Sequence, residues 1–174
     1  PDAMSAPTPA SAYLHSATMV KAGIYLMARL YPALGGTDLW FWLLGAVGAA
    51  TMLVGAYLGL KQNDLKALLA YSTISQLAYV VMAAALLAPL SVVGAVLHIA
   101  AHALGKLTLG SAAGAIYTAA HKTEVSQLDG IGRRMPWTMG AFAIAALSMI
   151  GLPPAVGFVS KWYMLSGAMA AQHW

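Results

Sequence analysis

Long apolar runs alternate with short polar breaks along this chain. Residues 39–60 (LWFWLLGAVGAATMLVGAYLGL) carry no charge at all, and residues 90–119 carry only one lysine. Pro7, Pro9 and Ser11 mark a helix start, and Pro32 with Gly35-Gly36 marks its end. Lys61-Gln62-Asn63-Asp64, Ala88-Pro89 and the polar stretch 121–136 separate the later runs. The pattern predicts helices over roughly 11–31, 39–60, 65–87, 90–119 and 137–169. Each of the first four is about 20 residues or longer, enough to cross about 30 Å of hydrocarbon.

The fifth run is long enough only if its two halves count together, because Gly151, Pro153 and Pro154 interrupt it at 151–155. Two readings stay open. A helix broken inside the membrane exposes backbone groups that lipid cannot satisfy, so the break must lie against protein or water, as at many transporter ion sites. Alternatively, Pro153-Pro154 lies in a short loop between two spans. Either way the expected fold is an all-α membrane protein, a polytopic bundle of five to six transmembrane segments forming one domain over 1–174.

Composition supports lipid as the solvent. Of 174 residues, 60% are hydrophobic and 8% charged, against about 25% charged in soluble domains. The net charge of +4 comes from basic residues placed singly or in pairs, which does not suggest nucleic acid. Lys61, Lys66, Lys122, Arg133 and Arg134 follow the second and fourth runs, while only Arg29 accompanies the other connections. By the positive-inside bias the former connections face the cytoplasm. With no Cys there is no disulfide framework, Fe–S ligation or thiol chemistry. The chain opens on Pro1-Asp2 with no signal-peptide pattern, and it reads as an internal piece of a longer membrane protein.

The charged residues inside the apolar runs carry the chemistry. His98, His102 and Lys106 are four apart, and each four-residue step turns a helical side chain by only about 40°, so the three share one stripe. Ionisable groups in a spanning helix are costly and normally face a protein interior or a water-filled path. Histidine can accept a proton on one nitrogen and donate from the other, and a desolvated lysine releases its proton more readily. The stripe therefore suggests a proton relay. Packing histidines remain an alternative. Metal binding is another, but Lys106 one turn on repels a cation and no buried carboxylate completes a ligand set.

Lys21 lies deep in the first run, with His15 and Thr18 before it at three-residue steps. It reads as a relay member or as a snorkelling lysine. Lys161 follows the break and reads as a relay member beside freed carbonyls, or as an interfacial anchor with Trp162 and Tyr163. Lys66 opens the third run and is either part of the path or its first cytoplasmic residue. No Asp or Glu falls inside a run. That argues against a retinal-type pump and leaves any partner carboxylate to another part of the machine. No phosphate loop, nucleophile elbow or redox motif is present.

Several ordered segments carry a family resemblance. They are Pro1-Asp2-Ala3-Met4, Ala6-Pro7-Thr8-Pro9, and Leu14-His15-Ser16-Ala17-Thr18-Met19-Val20-Lys21-Ala22-Gly23. After them come Asp64-Leu65-Lys66 and Ala70-Tyr71-Ser72-Thr73-Ile74-Ser75-Gln76. The last are His98, His102-Ala103 and Lys106, then Gly151-Leu152-Pro153-Pro154, Gly157-Phe158 and Ser160-Lys161. The set resembles the antiporter-like membrane subunits shared by Mrp-type cation/proton antiporters and respiratory complex I.

The resemblance implies a bundle of about fourteen helices built from two inverted repeats, each with a broken helix, of which this chain is most of the second. It implies a lysine–histidine–water chain across the membrane centre, with Lys21, Lys66, His98, His102, Lys106 and Lys161 at the matching positions. It raises the broken-helix reading of Gly151, Pro153 and Pro154. One departure is Leu104-Gly105, where the family often has an aromatic.

The expected function is proton translocation as a subunit of a Mrp-type Na+(K+)/H+ antiporter. The alternatives are a non-redox, proton-pumping membrane-arm subunit of complex I or a membrane hydrogenase and, lower, a structural scaffold. No covalent chemistry and no cofactor are expected. The expected partners are protons, Na+ or K+, other membrane subunits and lipid, in a bacterial or archaeal inner membrane.

Overall fold

The computed structural model describes residues 7–14, 19–86 and 88–171. The elements are α1 (Thr8–Tyr13), α2 (Met19–Leu34), α3 (Asp38–Leu60), α4 (Leu65–Leu86) and α5 (Pro89–Ala120), then a 3-10 turn at Val125–Gln127, α6 (Ile131–Arg134), α7 (Pro136–Ile150) and α8 (Val156–Ala170). The chain is an all-α membrane fold. Among the described residues α3, α4 and α5 are each long and apolar enough to cross a bilayer.

Local chemistry explains most of the ends. Thr37 Oγ1 accepts from the Trp40 N–H at 3.2 Å and caps α3, with Asp38 in the first turn to favour the dipole. Asp64 caps α4 by accepting from the Ala67 N–H at 2.8 Å. Pro89 and Pro136 sit at the starts of α5 and α7, where a missing N–H costs nothing.

The first run, expected as one helix over 11–31, is described as α1 and α2, with 15–18 outside the described residues, and Pro32 lies within α2 rather than ending it. In the last turn a proline forfeits one hydrogen bond but has little helix left to disrupt. The helix ends at Leu34, just before Gly36 with φ +90°.

α5 is the spine of the bundle. Its 32 residues extend about 48 Å, and it buries a stripe against α4 on one side and α7 and α8 on another. Packing tracks settle the geometry of the interruption. Going along α5, Ser91 lies at Gly167, Gly94 at Met164 and Ser160, and His98 at Ser160. Gly105 then meets Met149, and Leu109 and Ala113 share an apolar cluster with Ala145. α8 and α7 thus form one antiparallel track along a single helix. Two separate spans would have to double back on each other. The two 15-residue halves, each about 22 Å, are too short to cross alone and together make about 45 Å. The last helix is therefore discontinuous, broken near the middle of α5.

Two apolar clusters flank that level. One joins Leu65, Leu69, Leu109, Ala113, Ile116 and Ile131. The other joins Leu77, Val80, Ala83, Ala95 and Met164. Between them, α5 carries His98, His102 and Lys106. At one end, the turn after α3 and the segment after α5 clasp each other: Asn63 Nδ2 donates to Glu124 Oε2 at 3.1 Å, and the Leu65 N–H donates to the Thr123 carbonyl at 2.9 Å. The connections rich in Lys and Arg thus lie at the same end. The outer faces remain apolar, with Trp42 70% and Trp137 91% exposed. Such a surface suits lipid or neighbouring membrane helices.

Candidate functional site

Small residues bring the backbones close where the stripe is buried. An added Cβ at Gly94 would stand 2.6 Å from the Met164 nitrogen, and one at Gly105 would stand 2.9 Å from the Met149 sulfur. At Gly105, the departure from the family pattern, the missing side chain therefore admits Met149. His98, His102 and Lys106 are 2%, 0% and 6% exposed, whereas Leu104 on another face of α5 is 70% exposed.

Lys106 reaches across to α4. Its Nζ donates to the Leu69 carbonyl at 2.6 Å and to Ser72 Oγ. Ser72 and Thr73 also donate their hydroxyls to the Leu69 carbonyl, at 3.0 and 2.9 Å. A carbonyl and a hydroxyl seat the ammonium, with no carboxylate against it among the described residues.

His98 and His102 stand 6.2 Å apart, centroid to centroid. His98 Nδ1 is 3.0 Å from Ser160 Oγ of α8, and the ring lies 6.2 Å from that of Tyr79. Among the described residues, both ring nitrogens of His102 are buried without a hydrogen-bond partner. Buried polar atoms in native proteins are normally satisfied, by ordered water if not by protein.

The break sits beside this group. Gly151, with φ +94°, closes α7, and the Gly151 and Leu152 N–H groups both return to the Leu147 carbonyl. Lys161 Nζ donates to the Met149 and Ile150 carbonyls at 2.9 and 3.2 Å, supplying two of the carbonyls that the helix end leaves open. It also lies 5.2 Å from the centroid of the Tyr79 ring. Tyr79 and Lys161 border a cleft of about 330 Å³ together with Met82 and Met164. Pro153 and Pro154 are exposed, as the turn between the halves.

Lys21 of α2 donates to the Ile99 carbonyl at 3.2 Å, between the two histidines in sequence. The structure thus gathers Lys21, His98, His102, Lys106 and Lys161 around the middle of α5. Lys66 stands apart. Its Nζ lies 5.9 Å from the Tyr117 ring, eleven residues and about 16 Å along α5 from Lys106, toward the clasped loops. His15 and Thr18 lie outside the described residues.

Ser72, Tyr79 and Ser160 contact the group but were not among the relay residues expected from sequence, although Ser72 and Ser160 stand inside the motif segments. Among the described residues, no three His, Cys, Asp or Glu side chains converge. The arrangement has lysine donors at both ends and imidazoles between them, groups whose chemistry allows protons to be passed.

Comparison with known proteins agrees with this architecture. Residues 1–174 match the family described as NADH:quinone oxidoreductase/Mrp antiporter, TM. The A/B subunit of a probable K(+)/H(+) antiporter from Rhizobium meliloti is 48% identical over 161 residues, 92% of this chain and 16% of that protein. The NADH-quinone oxidoreductase subunit N of Desulforudis audaxviator is 41% identical over all of this chain and 36% of its own length. Among solved structures, the Mrp complex from Dietzia sp. DQ12-45-1b superposes with a TM-score of 0.92 at 44% identity, over 99% of this chain and 19% of the matched one. The chain thus spans well under half the length of these relatives. With a match along its whole length, this integral membrane chain belongs to the NADH:quinone oxidoreductase/Mrp antiporter transmembrane family.

Proposed function

We propose that the chain carries protons through the membrane centre of a hetero-oligomeric cation/proton antiporter, by the path Lys161, His98, His102 and Lys106. Lys21 enters from the side at the histidines, and Lys66 continues the path toward the clasped loops. On this reading those loops face the cytoplasm, since they hold most of the basic residues. His15 and Thr18 would extend the Lys21 branch. The helix break at Gly151, Pro153 and Pro154 supplies carbonyls on which the Lys161 ammonium rests between transfers. The domain would then be the second half of a longer antiporter-like subunit, with the carboxylate partners of the lysines lying outside it.

One observation carries the proposal: His102 is fully buried, stands between Lys106 and His98, and has no partner for either ring nitrogen among the described residues. A packing histidine would be hydrogen-bonded, whereas a relay histidine exchanges its partners through water. The test follows from the same fact. Since no hydrogen bond to a described residue is lost, His102→Leu should be structurally mild. In vesicles bearing the complete assembly, proton flux should fall at least about tenfold, one such step being about 1.4 kcal/mol of barrier. Unchanged flux would sink the relay.

The subunit N relative favours a second reading, in which quinone reduction elsewhere drives the same relay. The two part on one measurement. An imposed pH gradient that collapses on adding Na+ or K+ supports the antiporter. A gradient indifferent to both, but built by a quinone reductant, supports the redox-driven pump.

A further inference from the structure

Ser160 Oγ stands 3.0 Å from His98 Nδ1 and 3.0 Å from the Gly157 carbonyl, with Ser160 wholly buried and His98 nearly so. A carbonyl can only accept, and a serine hydroxyl has one proton to give. If that proton goes to the Gly157 carbonyl, Ser160 Oγ must accept from an Nδ1–H of His98. Every donor in the row is then used. The reverse arrangement would face two oxygens at 3.0 Å with no proton between them. The Gln76 carbonyl is the competing acceptor, for an Nε2–H of the other tautomer.

We infer that Ser160 is a positioning residue that holds His98 as its Nδ1–H tautomer, leaving Nε2 as the open proton acceptor of the path. This rests on the relay reading above and assigns its proton exchange at His98 to one atom. An incoming proton is taken at Nε2, and the imidazolium can then release only that proton without disturbing Ser160. Because Ser160 and Lys161 are neighbours on the first turns of α8, one helix segment both caps α7 and sets the tautomer of α5. A shift of the broken helix would alter both together.

Ring-nitrogen NMR of isotopically labelled histidine in the membrane-reconstituted assembly tests this, with the His98 signals assigned by their loss in His98→Gln. The wild type should show His98 protonated at Nδ1. Ser160→Ala removes one oxygen from a packed site and should give a mixture of tautomers, with proton flux down about three- to tenfold, the worth of one hydrogen bond. A wild-type His98 protonated at Nε2, paired with the Gln76 carbonyl, would overturn the inference. So would a tautomer unmoved by Ser160→Ala. Full flux in His98→Gln would instead remove the relay and leave the hold of Ser160 on the tautomer standing, so the two failures are told apart.

Discussion

Lys106 and Lys161 both rest on backbone carbonyls, but the carbonyls differ in kind. Leu69 belongs to an unbroken helix, and its carbonyl also accepts from Ser72 and Thr73. Met149 and Ile150 end a helix, and among the described groups the side chain that reaches their carbonyls is that of Lys161. Removing Lys106 takes a surplus donor from a satisfied acceptor. Removing Lys161 uncovers two acceptors at a helix end. Two lysines of the same apparent type, on one proposed path, should therefore separate function from structure in opposite proportions.

The largest expected effect is on transport and is common to both. Arginine keeps the charge and the carbonyl contacts but cannot release its proton. Lys106→Arg and Lys161→Arg should each bring proton flux in vesicles close to background, a loss of about a hundredfold or more, equivalent to about 2.7 kcal/mol of barrier. Normal flux in both variants would mean that neither lysine passes protons and would dissolve the comparison.

Gly157→Ala tests the closure of the break without touching a titratable group. The new Cβ would fall on the Ser148 carbonyl, a backbone atom with little freedom to move. Overpacking of this kind costs about 1–3 kcal/mol. A lowered unfolding temperature and lowered flux together are expected. An unchanged variant would show that α7 and α8 do not meet as tightly as Gly157 and Ser148 suggest.

How much of this was open to a reader of the sequence depends on the kind of signal. The stripe at 98, 102 and 106 follows from helical periodicity, and the apolar runs follow from hydropathy, so α3, α4 and α5 stand out at once. Gly151-Leu152-Pro153-Pro154 marks an interruption, but periodicity cannot say whether the chain doubles back. That depended on Gly94, Gly105 and Ser91 meeting α8 and α7 in one order along α5. Pro32 misled, because a proline in a last turn looks like a terminator and costs little. The carbonyl seats and the Ser160 contact were invisible, since a hydrogen bond across 62 residues leaves no local pattern.

The stability contrast between the lysines comes next in size. Lys161→Met leaves the part-buried Met149 carbonyl and the Ile150 carbonyl at an apolar surface without the ammonium, and acceptors stranded away from water cost about 1–3 kcal/mol. Lys106→Met trades a buried cation for an apolar chain of similar length, while the Leu69 carbonyl keeps its other donors. Replacing buried charge by apolar volume is often neutral or stabilising. Thermal unfolding in detergent should therefore rank Lys106→Met at or above wild type and Lys161→Met below it. The reverse order would mean that the α4 seat, not the helix break, is the structural use of a lysine here.

Ser72→Ala should have the smallest effect and sharpens the contrast from the α4 side. Ser72 Oγ accepts from Lys106 and donates to the Leu69 carbonyl, so its loss leaves Lys106 on one partner instead of two. The carbonyl keeps Thr73 Oγ1 at 2.9 Å and its place in the helix, so the fold should shift by no more than about 0.5–1.5 kcal/mol. The ammonium, however, becomes freer to leave its seat. Flux should change by a few-fold without a matching change in unfolding temperature. If stability falls while flux holds, the hydroxyl is there to bind α4 to α5, and the seat of Lys106 has no part in when its proton moves.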